Sequence, residues 1–206
     1  MRVLVSPGAQ AAQGLLAREV GEALAGPEGM VVALADEGVR TLGRPLSAAE
    51  VELLRRALLG VEPASRVEPA NQARRFTGRG VVGYVCTGRL VSPAGEGAIA
   101  VVEDHANLTW RSPLVGPNDE QVGPRFPVMT GVYAPEVARG RVLADSYGMI
   151  VSGVAAGVQE EAHLNPFEAQ VVAAHGSVAI SEEIVPVVIT AAHLGLRVAA
   201  VILAKV

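Results

Sequence analysis

The chain has 206 residues, which lies near the usual domain length of about 100–200 residues. Half of its residues are hydrophobic but only 3% are aromatic, so the core must be built from Ala, Val, Leu and Ile. That composition suits parallel strands covered by Ala-rich helices. The formal net charge of −4 gives no electrostatic reason to bind nucleic acid, and the single Cys86 excludes an internal disulfide.

No stretch of the sequence predicts a membrane segment or a metal site. The chain begins directly with a predicted strand, without a signal peptide in front of it. No apolar run reaches about 18 residues without a charge or a Gly/Pro break, and the chain lacks the Cys-His spacing of a metal site. We therefore expect a cytoplasmic protein that binds neither a membrane nor a metal ion.

The first residues predict a strand, a turn and a helix. Residues 2–5 form an apolar strand, and residues 9–24 have helical spacing. The predicted inner face of that helix carries Leu15, Leu16, Val20 and Leu24. Ser6 and Gly8 lie in the turn, where free backbone N–H groups at a helix N-terminus favour an anion. An ordinary connection between a strand and a helix would give the same pattern.

The next part predicts one strand, one helix and a connector. Residues 30–35 are apolar and follow a Gly-Pro break, which indicates a second strand. Ser47 and Glu50 form a capping box that begins a helix, and Gly60 ends it. Residues 61–80 combine Pro, Arg and polar residues without a period, which is typical of a connector.

The central part predicts two buried strands and a long loop. Residues 81–85 form a strand. Residues 98–102 predict a strand buried on both faces. Residues 103–127 form the longest polar segment with Pro and Gly breaks, and a loop of that length is usually functional or disordered. Its mixture of polar side chains and the only Trp of the chain favours an ordered loop beside a site or a subunit interface.

The last part alternates helices and strands. The predicted elements are a helix at 133–144, a strand at 147–151, a small-residue loop at 152–157, a helix at 167–174, a strand at 178–180, a helix that begins at 181–183, and a strand at 196–203. Ile184, Val188, Ala191 and Ala192 share the predicted buried face of the last helix. His175 and His193 lie at helix ends, where a cation is favoured.

The long loop carries three motifs in a fixed order. They are Asp104-His105-Ala-Asn107-Leu108, then Ser112-Pro113-Leu114-Val-Gly116-Pro117-Asn118-Asp119-Glu120, then Gly123-Pro-Arg125-Phe126-Pro127-Val-Met129. In this order, and nearly without gaps, they resemble the central block of the trimeric purine nucleoside phosphorylases. The resemblance covers roughly residues 81–206, whereas residues 1–80 match poorly.

The resemblance implies an α/β fold in three layers, α/β/α, with a mixed and mostly parallel sheet of the phosphorylase type. It implies that residues 1–206 form a single domain whose first 80 residues have diverged and in which the closing C-terminal helix of the family is absent. The family assembles through the central loop, so the resemblance also implies a homo-oligomer, either a trimer or a hexamer. Trp110 and Phe126 then belong either to the core or to the interface, and His105 is a structural residue or a general acid.

The resemblance assigns phosphate binding to Ser6, Gly8, Cys86 and Thr87. Ser6 and Gly8 match a glycine-serine turn after the first strand that contacts phosphate in the family. Cys86 and Thr87 match a turn of small residues where the backbone approaches phosphate closely, which requires small side chains. Arg89 replaces a glycine there, and it either brings a positive charge to an anion or fills the pocket. Cys86 also suits a small buried hydrophobe.

Ribose and base are assigned by the same resemblance. Glu183 matches a glutamate that binds both ribose hydroxyls in the hexameric relatives, since one carboxylate can accept two hydrogen bonds from a cis-diol. A carboxylate in the first turn of a helix is also favoured by the macrodipole alone. His163 stands where the family has a base-stacking Phe, and Leu164 stands where it has a base-binding glutamate. Glu160 or Glu161 substitutes for that glutamate if the loop shifts.

Two motifs of the family are missing from the sequence. The Arg-x-His motif that binds the attacking phosphate is not found, and the nearest basic cluster is residues 74–79. Ala204 stands near the position of the Asn or Asp that polarises the departing purine. These departures concern the chemistry of cleavage rather than the fold.

Three functions follow from these observations. The first is a divergent nucleoside phosphorylase-like protein that binds a nucleoside or cleaves it by phosphorolysis, with inorganic phosphate as co-substrate and no other cofactor. The second is a catalytically inactive member with a role in assembly or small-ligand binding. The third is a nucleoside hydrolase that uses water, which Glu183 and the missing phosphate motif suggest.

Overall fold

The computed structural model describes residues 1–27, 30–33, 80–91, 99–118, 123–142, 149–160 and 164–204. In chain order the elements are β1 Arg2–Val5, α1 Pro7–Ala25, β2 Met30–Ala33, β3 Val81–Leu90, β4 Ile99–Asn107, α2 Pro135–Arg141, β5 Ile150–Gly157, α3 Pro166–Ala174, β6 Ser177–Ser181, α4 Ile184–His193 and β7 Arg197–Ala204. The predicted helix after Ser47 and most of the predicted connector lie outside the described residues.

The seven strands form one mixed sheet in the order β2-β1-β3-β6-β5-β4-β7, and β3 also pairs with β7. Five of the pairings are parallel, and the pairs β3–β6 and β4–β7 are antiparallel. The expected mixed and mostly parallel sheet is therefore confirmed. Because β3 pairs with both β6 and β7, the strands β3, β6, β5, β4 and β7 form a closed circuit, which the sequence did not predict.

Helices cover both faces of the sheet, as expected for three layers. On one face, α4 packs against a cluster that includes Leu4, Tyr84 and Ile202. On the other face, α1 and α2 pack against a cluster that includes Val3 and Val85. Tyr84 and Val85 are neighbours in β3 and point to opposite faces, as the twofold period of a strand requires.

The predicted turn at residues 86–90 is wrong, because β3 continues to Leu90. Residues 81–88 pair in parallel with β7, and Arg89 and Leu90 pair with Ile180 and Ala179 of β6. A Cβ atom at Gly88 would lie 2.2 Å from the carbonyl oxygen of Ile180. The small residue is therefore required by the neighbouring strand, and not only by an approaching ligand.

Two further loop boundaries are also wrong. The loop predicted from residue 103 begins later, because β4 extends to Asn107. The predicted small-residue loop at 152–157 belongs to β5. Both segments lie in one parallel ladder that runs from the pair Ile99–Ile150 to the pair Asn107–Gly157. The backbone of these segments is therefore paired across the sheet, where the sequence pattern predicted loops.

The faces of two helices differ from the predicted ones. Leu15 is 73% exposed, whereas Val20 and Leu24 are completely buried. The inner face of α1 therefore includes Val20 and Leu24 but not Leu15. All residues of α4 except Pro186 are buried, rather than one stripe. The C-terminal end of α1 contacts α2, because Arg141 at the end of α2 donates hydrogen bonds to the carbonyl oxygens of Leu24 and Ala25. In the described part of the chain, no helix has the length and apolar character needed to cross a membrane.

Candidate functional site

Three distant parts of the chain meet beside the end of β1. Ser6 follows β1 directly, Thr87 lies in β3, and Glu183 precedes the first residue of α4. Strands β1 and β3 are parallel, with Val5 opposite Val85, and the Ser6 amide donates to the Val85 carbonyl at 2.8 Å. Ligands of α/β sheets commonly bind beyond the carboxyl ends of such strands.

The carboxylate of Glu183 is the centre of this meeting point. Its Oε2 atom accepts hydrogen bonds from Ser6 Oγ at 2.9 Å, from the Thr87 amide at 3.1 Å and from Thr87 Oγ1 at 3.2 Å. Ser6 and Thr87 are buried, and Glu183 is half-buried. Hydrogen bonds to an ionised group are about twice as strong as neutral ones. We call the three donors, Ser6 Oγ, Thr87 N and Thr87 Oγ1, the anion cradle.

The backbone around Glu183 is held by two further side chains. Ser181 Oγ donates to the Thr87 carbonyl at 2.9 Å and accepts from the Glu183 amide at 3.3 Å. The Tyr84 hydroxyl donates to the Glu183 carbonyl at 3.4 Å. Sequence analysis did not assign Ser181 or Tyr84 to the site. The sequence did contain a signal for Tyr84, which is a Tyr within an apolar strand. A buried phenol usually needs a hydrogen-bond partner.

The electrostatics of the site keep this phenol neutral. Burial raises the pKa of Tyr84 well above its ordinary value, and the nearby Glu183 carboxylate adds to the rise. Ser6 has a double role, since its Oγ also accepts from the Ala9 amide at 3.1 Å and caps α1. One buried hydroxyl therefore joins the start of a helix to the Glu183 carboxylate.

The structure thus brings together Ser6, Thr87 and Glu183, which the sequence assigned to phosphate and to ribose. Cys86 is fully buried beside them, with its Sγ 3.8 Å from Ser181 Oγ, and it occupies a core position as a small hydrophobe does. Gly8 is the second residue of α1, and its phosphate contact stays a prediction.

The residues assigned to the base lie only partly within the described chain. His163 and Glu161 lie outside the described residues, and Glu160 is exposed after β5. Leu164 packs against the small apolar cluster of Ala156, Val158 and Ile180. Arg89 is half-buried where β3 meets β6, and its part in anion binding stays a prediction.

The described residues contain no group of three or more His, Cys, Asp or Glu side chains that could hold a metal ion. Ala204 is the last residue of β7 and pairs with Gly88 of β3. Its methyl side chain cannot donate a hydrogen bond to a leaving base.

His105 of β4 and Tyr133 form a second polar arrangement. His105 Nδ1 lies 2.8 Å from the Tyr133 hydroxyl oxygen, and the two rings meet edge to face. Burial lowers the pKa of His105, an effect that the nearby Asp104 partly opposes. Trp110 is 91% exposed and Phe126 is 82% exposed. Neither ring belongs to the core of the described chain, so the interface remains as the prediction for both.

No protein-family model matches the chain. Over 104 residues, which are 50% of the chain, it is 33% identical to purine nucleoside phosphorylase 1 of Bacillus subtilis and 33% identical to that of Geobacillus stearothermophilus. Each match covers only 38% of the relative. A purine nucleoside phosphorylase of Anopheles gambiae is 36% identical over 76 residues, which are 31% of the chain and 22% of that relative. The chain therefore matches less than half the length of these curated relatives.

Solved structures show the same fold. A Schistosoma purine nucleoside phosphorylase in complex with hypoxanthine superposes with a TM-score of 0.67 and 20% identity, covering 98% of this chain and 75% of that chain. The Schistosoma enzyme in complex with guanosine superposes with a TM-score of 0.54 and 24% identity, covering 60% of this chain and 48% of that chain. The phosphorylase-type α/β fold expected from the sequence is confirmed.

Proposed function

Since the chain is a divergent and partial member of the purine nucleoside phosphorylase family, we propose that it binds a purine nucleoside beside the anion cradle. One observation carries this proposal: Ser6, Thr87 and Glu183 come from three distant segments and meet at one carboxylate. In this proposal Glu183 receives the ribose hydroxyls on its second carboxylate oxygen, since a carboxylate has about four acceptor positions.

The solved relatives support a nucleoside as the class of ligand. Structures of the Schistosoma phosphorylase hold guanosine and inosine, and a structure of a purine nucleoside phosphorylase holds ribose-1-phosphate. The ribose moiety is common to these three ligands, and it is the part that we assign to Glu183. We propose His163 as the residue that contacts the base.

Cleavage by phosphorolysis would require three separate interactions. Phosphate must be held below the anomeric carbon, the ribose must be held as positive charge develops, and the departing base must be stabilised. The donors of the anion cradle suit the first interaction but already bind Glu183 Oε2, and Glu183 offers an acceptor for the second. The missing Arg-x-His motif and Ala204 remove two groups that serve the first and the third. Loss of one such donor typically lowers kcat by about 10²–10³.

Hydrolysis is a second candidate, favoured by the carboxylate that already occupies the cradle. In that reaction the oxygen of water bonds to the anomeric carbon, the glycosidic bond breaks, and its electron pair leaves with the base nitrogen. Glu183 would accept the proton from the attacking water. A non-catalytic nucleoside-binding protein is the third candidate, and the same experiment separates all three.

The experiment measures binding and base release together. The protein is titrated with inosine, guanosine and adenosine by calorimetry, and free base is then assayed with and without inorganic phosphate. Release that requires phosphate supports phosphorolysis, release without phosphate supports hydrolysis, and binding without release supports the non-catalytic role. Absence of binding by all three nucleosides would refute the proposal.

Glu183→Ala tests the residue assignment. We expect it to weaken nucleoside binding at least tenfold, since hydrogen bonds to a charged group contribute about 1.5–3 kcal/mol. Glu182→Ala is the matched control, because it removes the same charge one residue away. If both variants bind equally well, Glu183 does not hold the ribose.

We also propose that residues 1–206 act as one cytoplasmic domain that assembles as a homo-oligomer, a trimer or a hexamer. The support is a set of apolar side chains that are exposed on the long loop and directly after it. They are Leu108, Trp110, Val115, Phe126 and Val128. Contiguous exposed apolar surface commonly marks a protein interface. Light scattering of the purified protein tests this assembly directly.

A further inference from the structure

We propose that Glu183 is an internal anion that fills the anion cradle and keeps inorganic phosphate out of the wild-type protein. The cradle presents two hydroxyls and one backbone amide toward a single point, and that point is Glu183 Oε2. Convergent donors of this kind bind an oxyanion such as phosphate or sulfate. Here the protein supplies the oxyanion itself.

The occupancy is built into the fold rather than made by a loose surface contact. Ser6 is completely buried and Thr87 is 3% exposed, so neither hydroxyl is left to solvent when the carboxylate is bound. The backbone of Glu183 is fixed on both sides, by Ser181 Oγ at its amide and by the Tyr84 hydroxyl at its carbonyl. A rotation of the side chain away from the cradle would leave two buried hydroxyls and an amide without their acceptor, which is costly.

Charge adds a second barrier to phosphate. A phosphate in the cradle would take the position of the Glu183 carboxylate and lie close to the displaced group, and the two negative charges would repel each other. The three cradle donors that hold Glu183 Oε2, two hydroxyls and one backbone amide, are uncharged. Phosphate must therefore displace a bound charge from its own donors before it can bind.

This inference concerns the site of the proposed function and refines it. The sequence assigned Ser6 and Thr87 to phosphate and Glu183 to ribose, as if the two groups were separate. The structure joins them in one set of hydrogen bonds, so that nucleoside binding by the wild-type protein should not depend on phosphate. The closing experiment uses phosphate alone, so its outcome does not depend on whether any nucleoside binds.

The experiment measures phosphate binding by thermal shift and calorimetry in buffers of matched ionic strength, with chloride as the reference anion. The proteins are wild type, Glu183→Ala, Glu183→Gln and the control Glu182→Ala. We expect no stabilisation of wild type or of Glu182→Ala by phosphate. We expect Glu183→Ala to bind phosphate at least about tenfold more tightly than wild type and to show a rise in Tm with phosphate concentration.

Thr87→Val in the Glu183→Ala background identifies where the new anion sits. This substitution keeps the shape of the side chain but removes one cradle hydroxyl, so it should reverse most of the gained affinity. Glu183→Gln keeps an acceptor oxygen on the cradle without the charge, and it should bind phosphate with an affinity between those of wild type and Glu183→Ala.

Two results would overturn the proposal. One is phosphate binding by wild type that is as tight as that of Glu183→Ala. The other is a Glu183→Ala protein that unfolds cooperatively, as wild type does, but gains no affinity for phosphate. If Glu183→Ala does not fold, Glu183→Gln decides the question by the same comparison, because its amide retains the hydrogen bonds of the cradle.

Discussion

The segment at residues 104–129 and the anion cradle differ in how much of each can be recognised in the sequence. The segment carries the strongest resemblance to known phosphorylases in one continuous stretch, yet its Trp110 and Phe126 side chains are exposed. The cradle is assembled from single residues of three distant segments, and Ser6 belongs to the part of the chain that matches poorly. The comparison shows that the stretch which identifies a family need not be the place where its polar chemistry is assembled.

The largest effect on stability is expected from Gly88→Ala, because the added methyl group forces strand β3 away from β6. A Cβ atom there would meet the Ile180 carbonyl at 2.2 Å, and a backbone atom cannot move aside as a side chain can. We expect a loss of about 3 kcal/mol or more in the free energy of unfolding. Urea denaturation measures it.

Gly140→Ala is the matched control for this change. Gly140 lies in α2, and a Cβ atom added there would point into open space. Alanine in a helix should therefore stabilise the protein by about 0.5–1 kcal/mol. Equal effects of the two substitutions would show that the approach of β6 to β3 is not tight.

Ser6→Ala should have the second largest effect, because one hydroxyl serves both α1 and Glu183. Loss of a helix cap costs about 0.5–2 kcal/mol and loss of a hydrogen bond to a charged group about 1.5–3 kcal/mol. We expect a total loss of about 2–5 kcal/mol in the free energy of unfolding. Ser112→Ala provides the comparison in the loop, since Ser112 Oγ accepts one bond, from the Leu114 amide at 3.2 Å. A loss in Ser112→Ala as large as in Ser6→Ala would contradict the distinction between the two regions.

Much of the fold followed from the sequence, and the exceptions have a common cause. The strands at 2–5, 30–35 and 196–203 were predicted close to their observed positions, because apolar runs indicate buried strands directly. The segment 86–90 was predicted as a turn through the resemblance, and 152–157 was predicted as a loop because it is rich in small residues. Their strand pairing is with partners far away in sequence, and no local pattern contains that information.

The candidate site shows the same division. Glu183, Ser6 and Thr87 were found through resemblance, Ser6 and Thr87 for phosphate and Glu183 for ribose. Their mutual hydrogen bonds depend on the pairing of β3 with β1 and with β6. Sequence therefore indicated the members of the cluster, while only the tertiary structure showed that Glu183 occupies the donors assigned to phosphate.

A pH titration tests the second polar arrangement, His105 with Tyr133. Burial holds the pKa of His105 below its ordinary value of 6.5, so the imidazole is neutral in the fold while the unfolded chain takes up a proton below that pH. Stability should be full above pH 6.5 and fall as the pH drops below it, until the folded imidazole also becomes protonated. Denaturation between about pH 5 and pH 8 measures this decline.

His105→Gln should flatten that part of the pH profile. The control is His175→Gln, at an exposed position at the end of α3, which should leave the profile near that of wild type. An unchanged decline in His105→Gln would show that another group is responsible.

The smallest effect on stability is expected from Trp110→Gly. Trp110 is 91% exposed and has a positive φ of 56°, a conformation that glycine adopts without strain. We expect the free energy of unfolding of the subunit to change by less than about 1 kcal/mol, whereas the assembly should weaken. Sedimentation velocity compares the mass of the variant with that of wild type. An unchanged oligomer would exclude Trp110 from the interface.

The most direct test of nucleoside binding beside an internally filled anion cradle is the Kd of inosine for wild-type protein, measured by calorimetry with and without inorganic phosphate. We predict measurable binding with the same Kd in both buffers. Absence of binding in either buffer, or binding that appears only when phosphate is present, would contradict it.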